Sequence, residues 1–203
     1  MKNKISFLLK HFNVYELNKL RKFIQSPYFN ANKSLVDLYD ILRKEIEQES
    51  KRELEKEGVW KILYGTKPYD DVRYRKLNSE LLKLVEQYLA QEEYDQNPMR
   101  QSNYLMDAVG KKKITSLFKS TIKNARYISE KKEKIDPSHY YYLYEMEQNF
   151  YDIEDYEMNR SEKANLEVII DKLDQFYFAE KLKWYCTILS RQTNASLKYD
   201  LKF

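Results

Sequence analysis

Glycine and proline are scarce. Three glycines (58, 65 and 110) and four prolines (27, 68, 98 and 137) serve 203 residues, and neither occurs between Ser138 and Phe203. These two residues are the strongest punctuation a chain has, and a sandwich or barrel with many tight turns needs more of both. With 33% charged residues, the scarcity implies long helices joined by short connections. Lys, Asn, Tyr, Ile and Phe are read from AT-rich codons and Gly, Pro and Ala from GC-rich ones, so the positions of the breakers carry more than their number.

Other absences exclude chemistry. A single cysteine, Cys186, rules out an internal disulfide framework. Two histidines, His11 and His139, and that one cysteine are too few for a His/Cys zinc cluster. A di-iron helical bundle needs a Glu-x-x-His pair on each of two helices; the nearest sequence, Asp136-x-x-His139, occurs once. There His139 reads as an exposed first-turn residue. Cys186, on a face with Leu182 and Leu189, reads as a small core hydrophobe. Three isolated glycines cannot build a phosphate-cradling loop. No apolar run approaches the roughly 18 to 20 residues that cross a bilayer, and Ile5–Leu9 is too short for a signal peptide. The expectation is a cytoplasmic protein with no membrane partner, no cofactor, no metal and no catalytic residue, hence not an enzyme.

What is present is a helical pattern punctuated where the breakers fall. Apolar residues make up 42% and aromatics 15%, with 19 tyrosines, which bury much area per residue. Asn13 and Glu16 have capping-box spacing and open a helix carrying Leu17, Leu20 and Ile24, which Ser26-Pro27 stops. After the loop Tyr28–Asn32 comes a stripe at Leu35, Leu38, Leu42 and Ile46, with Tyr39 beside it. Glu53–Tyr64 carries Leu54, Trp60, Ile62 and Leu63, and Gly65 is placed to end it. Pro68–Asp71 is a turn ending in an N-cap for a helix with Tyr74, Leu77, Leu81, Leu84, Val85 and Tyr88 on one side. Asn97-Pro98 and Asp136-Pro137 start helices in the same manner. Between them, Gly110 divides the Asn97-Pro98 helix from a stripe of Ile114, Leu117, Phe118, Ile122, Ala125 and Ile128.

The breaker-free tail is different. From Pro137 to Met158 apolar and aromatic residues cover an arc of about 200°, where a surface helix needs about 100°, so two neighbours are expected. Glu147 and Glu154 lie inside that arc and need buried partners, with tyrosine hydroxyls or lysines as candidates; they read as structural. The next segment turns Leu166, Ile169, Ile170, Leu173, Phe176 and Tyr177 to one side. Phe178, Leu182, Tyr185, Cys186 and Leu189 are rotated by roughly 140° from them. The expected form is one continuous helix gripped on different faces, as in stacked helical hairpins or a long-helix bundle.

Three stretches, Ser26-Pro27-Tyr28-Phe29-Asn30, Lys67-Pro68-Tyr69-Asp70 and Leu173–Lys183, resemble a group of uncharacterised all-helical bacterial proteins. The second half also resembles a tetratricopeptide-type helical repeat, although the 34-residue pattern is not met. The resemblance implies a helical interaction scaffold. The expected fold is all-α, an irregular helical bundle leading into an α-solenoid-like stack of helical hairpins. Residues 1–96 form an N-terminal helical subdomain and 97–203 a long-helix, repeat-like one. Leu197–Phe203 begins an apolar pattern and stops without a polar cap, which suits a chain that continues.

Two functional readings follow. The first is a non-enzymatic scaffold or adaptor that binds another protein, through a groove lined by tyrosines. Tyr141, between Tyr140 and Tyr142 but off the apolar arc, is its candidate contact. The second is nucleic-acid binding. Nine basic residues against two acidic ones fall between Lys111 and Lys134, a local net of +7. Among them Lys112, Lys119, Lys123 and Arg126 form a stripe within about 60° that could follow a phosphate backbone. Against this stands the segment 139–180, with eleven acids and three bases, net −8, whose charge can complement the basic one inside the fold.

Overall fold

The computed structural model describes residues 4–47, 55–131, 136–157 and 165–195 together with Tyr199, residues 154–157 and 194–195 by their backbone alone. Leu197, Leu201 and Phe203 lie outside these residues, and so does the side chain of Glu154. The protein is all-α. The helices among the described residues are α1 (Lys4–Leu9), α2 (Val14–Gln25), α3 (Lys33–Glu47), α4 (Lys56–Tyr64), α5 (Asp71–Asp95), α6 (Pro98–Lys111), α7 (Thr115–Glu130), α8 (Pro137–Glu157) and α9 (Leu166–Ala195). The chain forms two compact units, Met1–Glu93 and Tyr94–Phe203.

In the first unit the local signals act where the sequence puts them. The Glu16 N–H donates to Asn13 Oδ1 at 3.0 Å and the Asn13 N–H donates to Glu16 Oε2 at 2.8 Å, so two otherwise orphaned amides of α2 are satisfied reciprocally. Leu17, Leu20 and Ile24 then bury against Leu35, Leu38, Tyr39 and Leu42 of α3. The connecting loop is held from within: Asn30 Nδ2 donates to Ile24 O at 2.9 Å, and Phe29 stacks on Phe23 with centroids 4.1 Å apart. Gly65 ends α4 at φ 66°, where a side chain would be strained. Asp70 caps α5 by accepting from the Arg73 N–H at 3.0 Å. The buried Tyr39 hydroxyl donates to Leu17 O at 2.7 Å, which satisfies a polar group that burial would otherwise penalise. Burial pushes its pKa up to about 12.

In the second unit α6 packs against α7 and α8, α8 packs against α9, and α7 touches α8. The wide apolar arc of α8 is met mainly by α6 and α9, with α7 touching it as a third neighbour. Met106, Val109, Phe118, Ala125, Met146 and Ile153 form the core, with Ile114, Ile122, Leu143 and Phe150 packed on it. Asn97 and Asp136 cap α6 and α8, each accepting from the amide three residues on at 3.0 Å. The segment after Asn165 is one continuous helix of 30 residues.

Gly110 is not the break between α6 and α7. It lies inside α6, and the chain turns at Lys113, which adopts φ 55°. A Cβ on Gly110 would stand 3.3 Å from Ile153 Cγ1, so this glycine serves the close approach of α6 and α8. A glycine ahead of a new apolar stripe reads as a helix stop, and nothing local distinguishes a stop from a packing contact 43 residues away.

Candidate protein-binding cleft

The polar faces of α6 and α8 meet in an open cleft of about 310 Å³ lined by Arg100, Asn103, Tyr104 and Asp107 from α6 and Tyr141, Glu145, Gln148 and Asn149 from α8. Each set repeats at helical spacing, so α6 and α8 each present one polar-aromatic stripe, and the packing of Met106 and Val109 on Met146 and Ile153 brings the stripes together. Volume alone sets this cleft at the small end of ligand pockets.

Its floor is Asn103, 6% exposed. Asn103 Nδ2 donates to Tyr142 O at 3.0 Å and to Glu145 Oε2 at 3.3 Å, and Asn149 Nδ2 donates to Asn103 O at 3.3 Å. These bonds tie the two helices across the cleft. Tyr141, 37% exposed, donates its hydroxyl to Glu145 Oε1 at 2.8 Å. That hydrogen bond, followed by burial, raises the Tyr141 pKa. Its ring lies 5.2 Å from Phe176 of α9, which fixes the side chain from behind. Tyr104 stands at the rim, stacked 5.9 Å from Tyr94.

Charge is distributed unevenly. Glu145 is engaged by Tyr141 and Asn103, and Asp107 pairs with Lys111 at 2.7 Å. Arg100 lies 5.7 Å from the centroid of the Tyr142 ring and makes no ion pair among the described residues. The cleft thus offers a guanidinium, the exposed Gln148 amide and two tyrosine rings around a floor of the Asn103 and Asn149 amides, which tie α6 to α8. Amides donate and accept at once and match a peptide backbone; a guanidinium matches a carboxylate bidentately.

The basic stripe is altered by the fold. Lys119, Lys123 and Arg126 are exposed on α7, but Lys112 caps the end of α6 and leaves the stripe, because the turn at Lys113 breaks the helical register between them. Arg126 lies over the Phe150 ring, 4.9 Å from its centroid. Among the described residues no ion pair joins the stripe to the acidic segment that follows it. Exposed Tyr127 lies beside the stripe, with Lys131 Nζ 4.4 Å from its ring centroid.

Three further expectations change. His139 is buried at 6% exposure and not a surface residue; its backbone serves the α8 cap while its ring meets Tyr140 edge-on at 5.8 Å. Cys186 is exposed, because the face of α9 that carries it is uncovered. Glu147 is buried as expected, but its partner is an amide: Asn165 Nδ2 donates to Glu147 Oε2 at 2.7 Å and to Glu147 O at 3.0 Å. Among the described residues no three His, Cys, Asp or Glu side chains converge as metal ligands, and no helix is long and apolar enough to cross a membrane.

Tyr141, the candidate contact of the sequence, lines this cleft, whereas Arg100, Asn103, Tyr104, Gln148 and Asn149 carry no mark of their own in the sequence. Their signal was the spacing 100, 103/104, 107 and 141, 145, 148/149, which marks two polar faces without showing that they oppose each other. No protein-family model, no curated protein and no solved structure matches the chain.

Proposed function

We propose that this protein is a non-enzymatic helical scaffold that binds an extended segment of another protein in the α6/α8 cleft. The observation that carries the reading is the set Arg100, Tyr104, Tyr141, Gln148 and Asn149 around the buried Asn103. It supplies backbone-matching amides, a cation with no carboxylate partner among the described residues, and two exposed aromatic anchors on rigid helices. The succession α6/α7, α6/α8, α8/α9 suits a stack of helical hairpins of tetratricopeptide-like type, as the resemblance to all-helical bacterial proteins implies. A cytoplasmic setting belongs to the same proposal, and the single cysteine, Cys186, which allows no internal disulfide, is compatible with a reducing compartment.

The test is capture from native lysate by the wild-type chain and by Arg100→Glu plus Tyr141→Ala. Both substitutions fall on exposed side chains, so the variant keeps its helical content by circular dichroism. The expected result is one stoichiometric protein retained by the wild type and lost at least tenfold by the variant. Equal retention by both chains removes the cleft from the reading, and no stoichiometric protein at all removes the scaffold.

The second reading, nucleic-acid binding, rests on Lys119, Lys123 and Arg126 standing exposed on one face of α7 beside Tyr127, a cationic track with a ring for stacking. Retention on DNA or RNA columns that falls with salt and is lost in Lys119→Glu plus Lys123→Glu would support it; unchanged retention excludes it.

A further inference from the structure

Helix α9 carries more apolar surface than its own unit covers. None of its described residues is fully buried, although Leu166, Val168, Ile170, Leu173, Tyr177, Phe178, Leu182, Trp184 and Leu189 all lie on it and are exposed. Its half-buried line, Ile169, Lys172, Phe176 and Ala179 continuing from Asn165 just before it, matches α8, the helix packed extensively against it. Leu166, Ile170, Leu173, Tyr177 and Trp184 form a second line centred roughly 100° away, at 3.6 residues per turn. Their spacings of four, three, four and seven are those of a heptad seam, with Glu180 at the one polar position.

That seam is not scattered surface. Ile170 is 61% exposed and Trp184 57%, and the five side chains together present on the order of 500 Å² of apolar area. A contiguous patch of that size lies towards the upper end of what a monomer's surface carries, and such patches often mark a binding face. Two such seams face to face bury about 1,000 Å², and flanking side chains bring the total to the roughly 1,200 Å² at which specific interfaces begin.

The charges beside the seam say what covers it. Before Tyr177, α9 has Glu167, Asp171 and Asp174 against Lys172; from Tyr177 onward it has Lys181, Lys183 and Arg191 against Glu180. The halves are net −2 and +2. The helix dipole favours acids at the first turn and bases at the last, but Asp174 and Lys181 lie mid-helix, beyond its reach. They flank the same edge of the seam, seven residues apart. An antiparallel copy of the same helix sets each Asp174 beside the other copy's Lys181, whereas a parallel copy sets like charges level with each other.

We propose that the Leu166–Trp184 seam of α9 is a self-association face, on which α9 of a second copy of this chain packs antiparallel. A register centred between Tyr177 and Glu180 forms the Asp174–Lys181 pair twice by symmetry, as an isologous interface requires, and puts Glu180 within reach of the opposing Tyr177 hydroxyl. The α6/α8 cleft is a separate surface, so this proposal and the scaffold reading stand or fall apart.

Sedimentation velocity of the full chain from about 1 to 100 μM tests it, at an ionic strength where exposed charges still act. The expected result is a reversible dimer. Ile170→Glu plus Leu173→Glu, both on exposed positions and therefore tolerated by the fold, gives a monomer with unchanged circular dichroism. Leu182→Glu, exposed on a different face of α9, leaves the dimer intact. Asp174→Lys weakens dimerisation at least tenfold, and adding Lys181→Asp restores it. A monomer at every concentration overturns the proposal. So does a dimer that Ile170→Glu plus Leu173→Glu does not dissociate. A dimer weakened by Asp174→Lys that the double charge exchange fails to rescue overturns the antiparallel arrangement. Lysate capture by the α6/α8 cleft is read separately and is unaffected by Ile170→Glu plus Leu173→Glu.

Discussion

The two units of this protein use apolar side chains in different ways. In the first, seventeen buried hydrophobic residues among those described, drawn from α1 to α5, form a single cluster. In the second the buried cluster has six members among the described residues, and its longest helix contributes none of them, although α9 carries two tryptophan- or tyrosine-bearing apolar lines. The first unit gathers one side of every helix into a common core, although single side chains such as Phe7, Tyr28 and Val72 stay exposed. The second leaves a large part of its own for something else. Composition does not separate the two, since both are rich in Leu, Ile and Tyr; coverage does, and coverage is a property of neighbours.

The most direct way to sharpen that contrast is to truncate one residue of each kind. Leu81, fully buried in α5, should cost about 2–5 kcal/mol when changed to Ala, through lost burial and the cavity left behind. Leu182→Ser on α9, an exposed position, should change stability by no more than about 0.5 kcal/mol. Urea unfolding of each variant, followed by circular dichroism, measures both. A loss above about 2 kcal/mol for Leu182→Ser would mean that α9 is covered after all.

Alkaline pH should act on the first unit before the second. Tyr39 and Tyr88 are buried in its core, and burial raises both to about 12 from the ordinary value of 10. The unfolded chain ionises these hydroxyls first, so it is favoured as protons leave. Their contribution is fully present below pH 10 and is lost as pH rises from 10 through 12. For the fully buried Tyr39 the loss is about 2–3 kcal/mol at 1.4 kcal/mol per pH unit. Fluorescence of Trp60 in a Trp184→Phe background reports that unit alone. Tyr39→Phe should flatten the profile; an unchanged alkaline transition would show that the tyrosine core is not what fails.

In the second unit the close approach at Gly110 gives a smaller effect. Gly110→Val must displace Ile153 and should destabilise by about 1–3 kcal/mol by overpacking. Ile153→Ala in the same chain should recover part of it, a coupling that a double-mutant cycle measures. Strict additivity would mean that the two side chains do not meet. A smaller destabilisation is expected of Asn13→Ala, which removes half of the α2 capping box and should cost about 1 kcal/mol, read as a shift of the Trp60 transition.

Much of the fold was legible in advance because helix signals are local. Asn13, Asp70, Asn97 and Asp136 all cap the helices they precede, and Gly65 ends α4, since a cap bonds amides two or three residues away. The buried stripes of α2, α3 and α5 follow from their 3.6-residue spacing alone. Less of the candidate cleft was legible. Tyr141 stood out because it falls off the apolar arc, whereas Arg100 and Asn103 look like any polar helix face until α8 is set against α6.

The sequence by itself therefore determined that this protein is helical, where the capped helices α2, α5, α6 and α8 begin, and which faces need cover, because each of these depends on residues within one or two turns. Tertiary structure alone decided which faces are covered. It made Gly110 a packing residue and not a stop, gave Glu147 the amide of Asn165 as its partner, buried His139 and exposed Cys186. The same hydrophobic side chain is core in α5 and surface on α9, because burial is set by what stands opposite, and the chain's own pattern does not encode that.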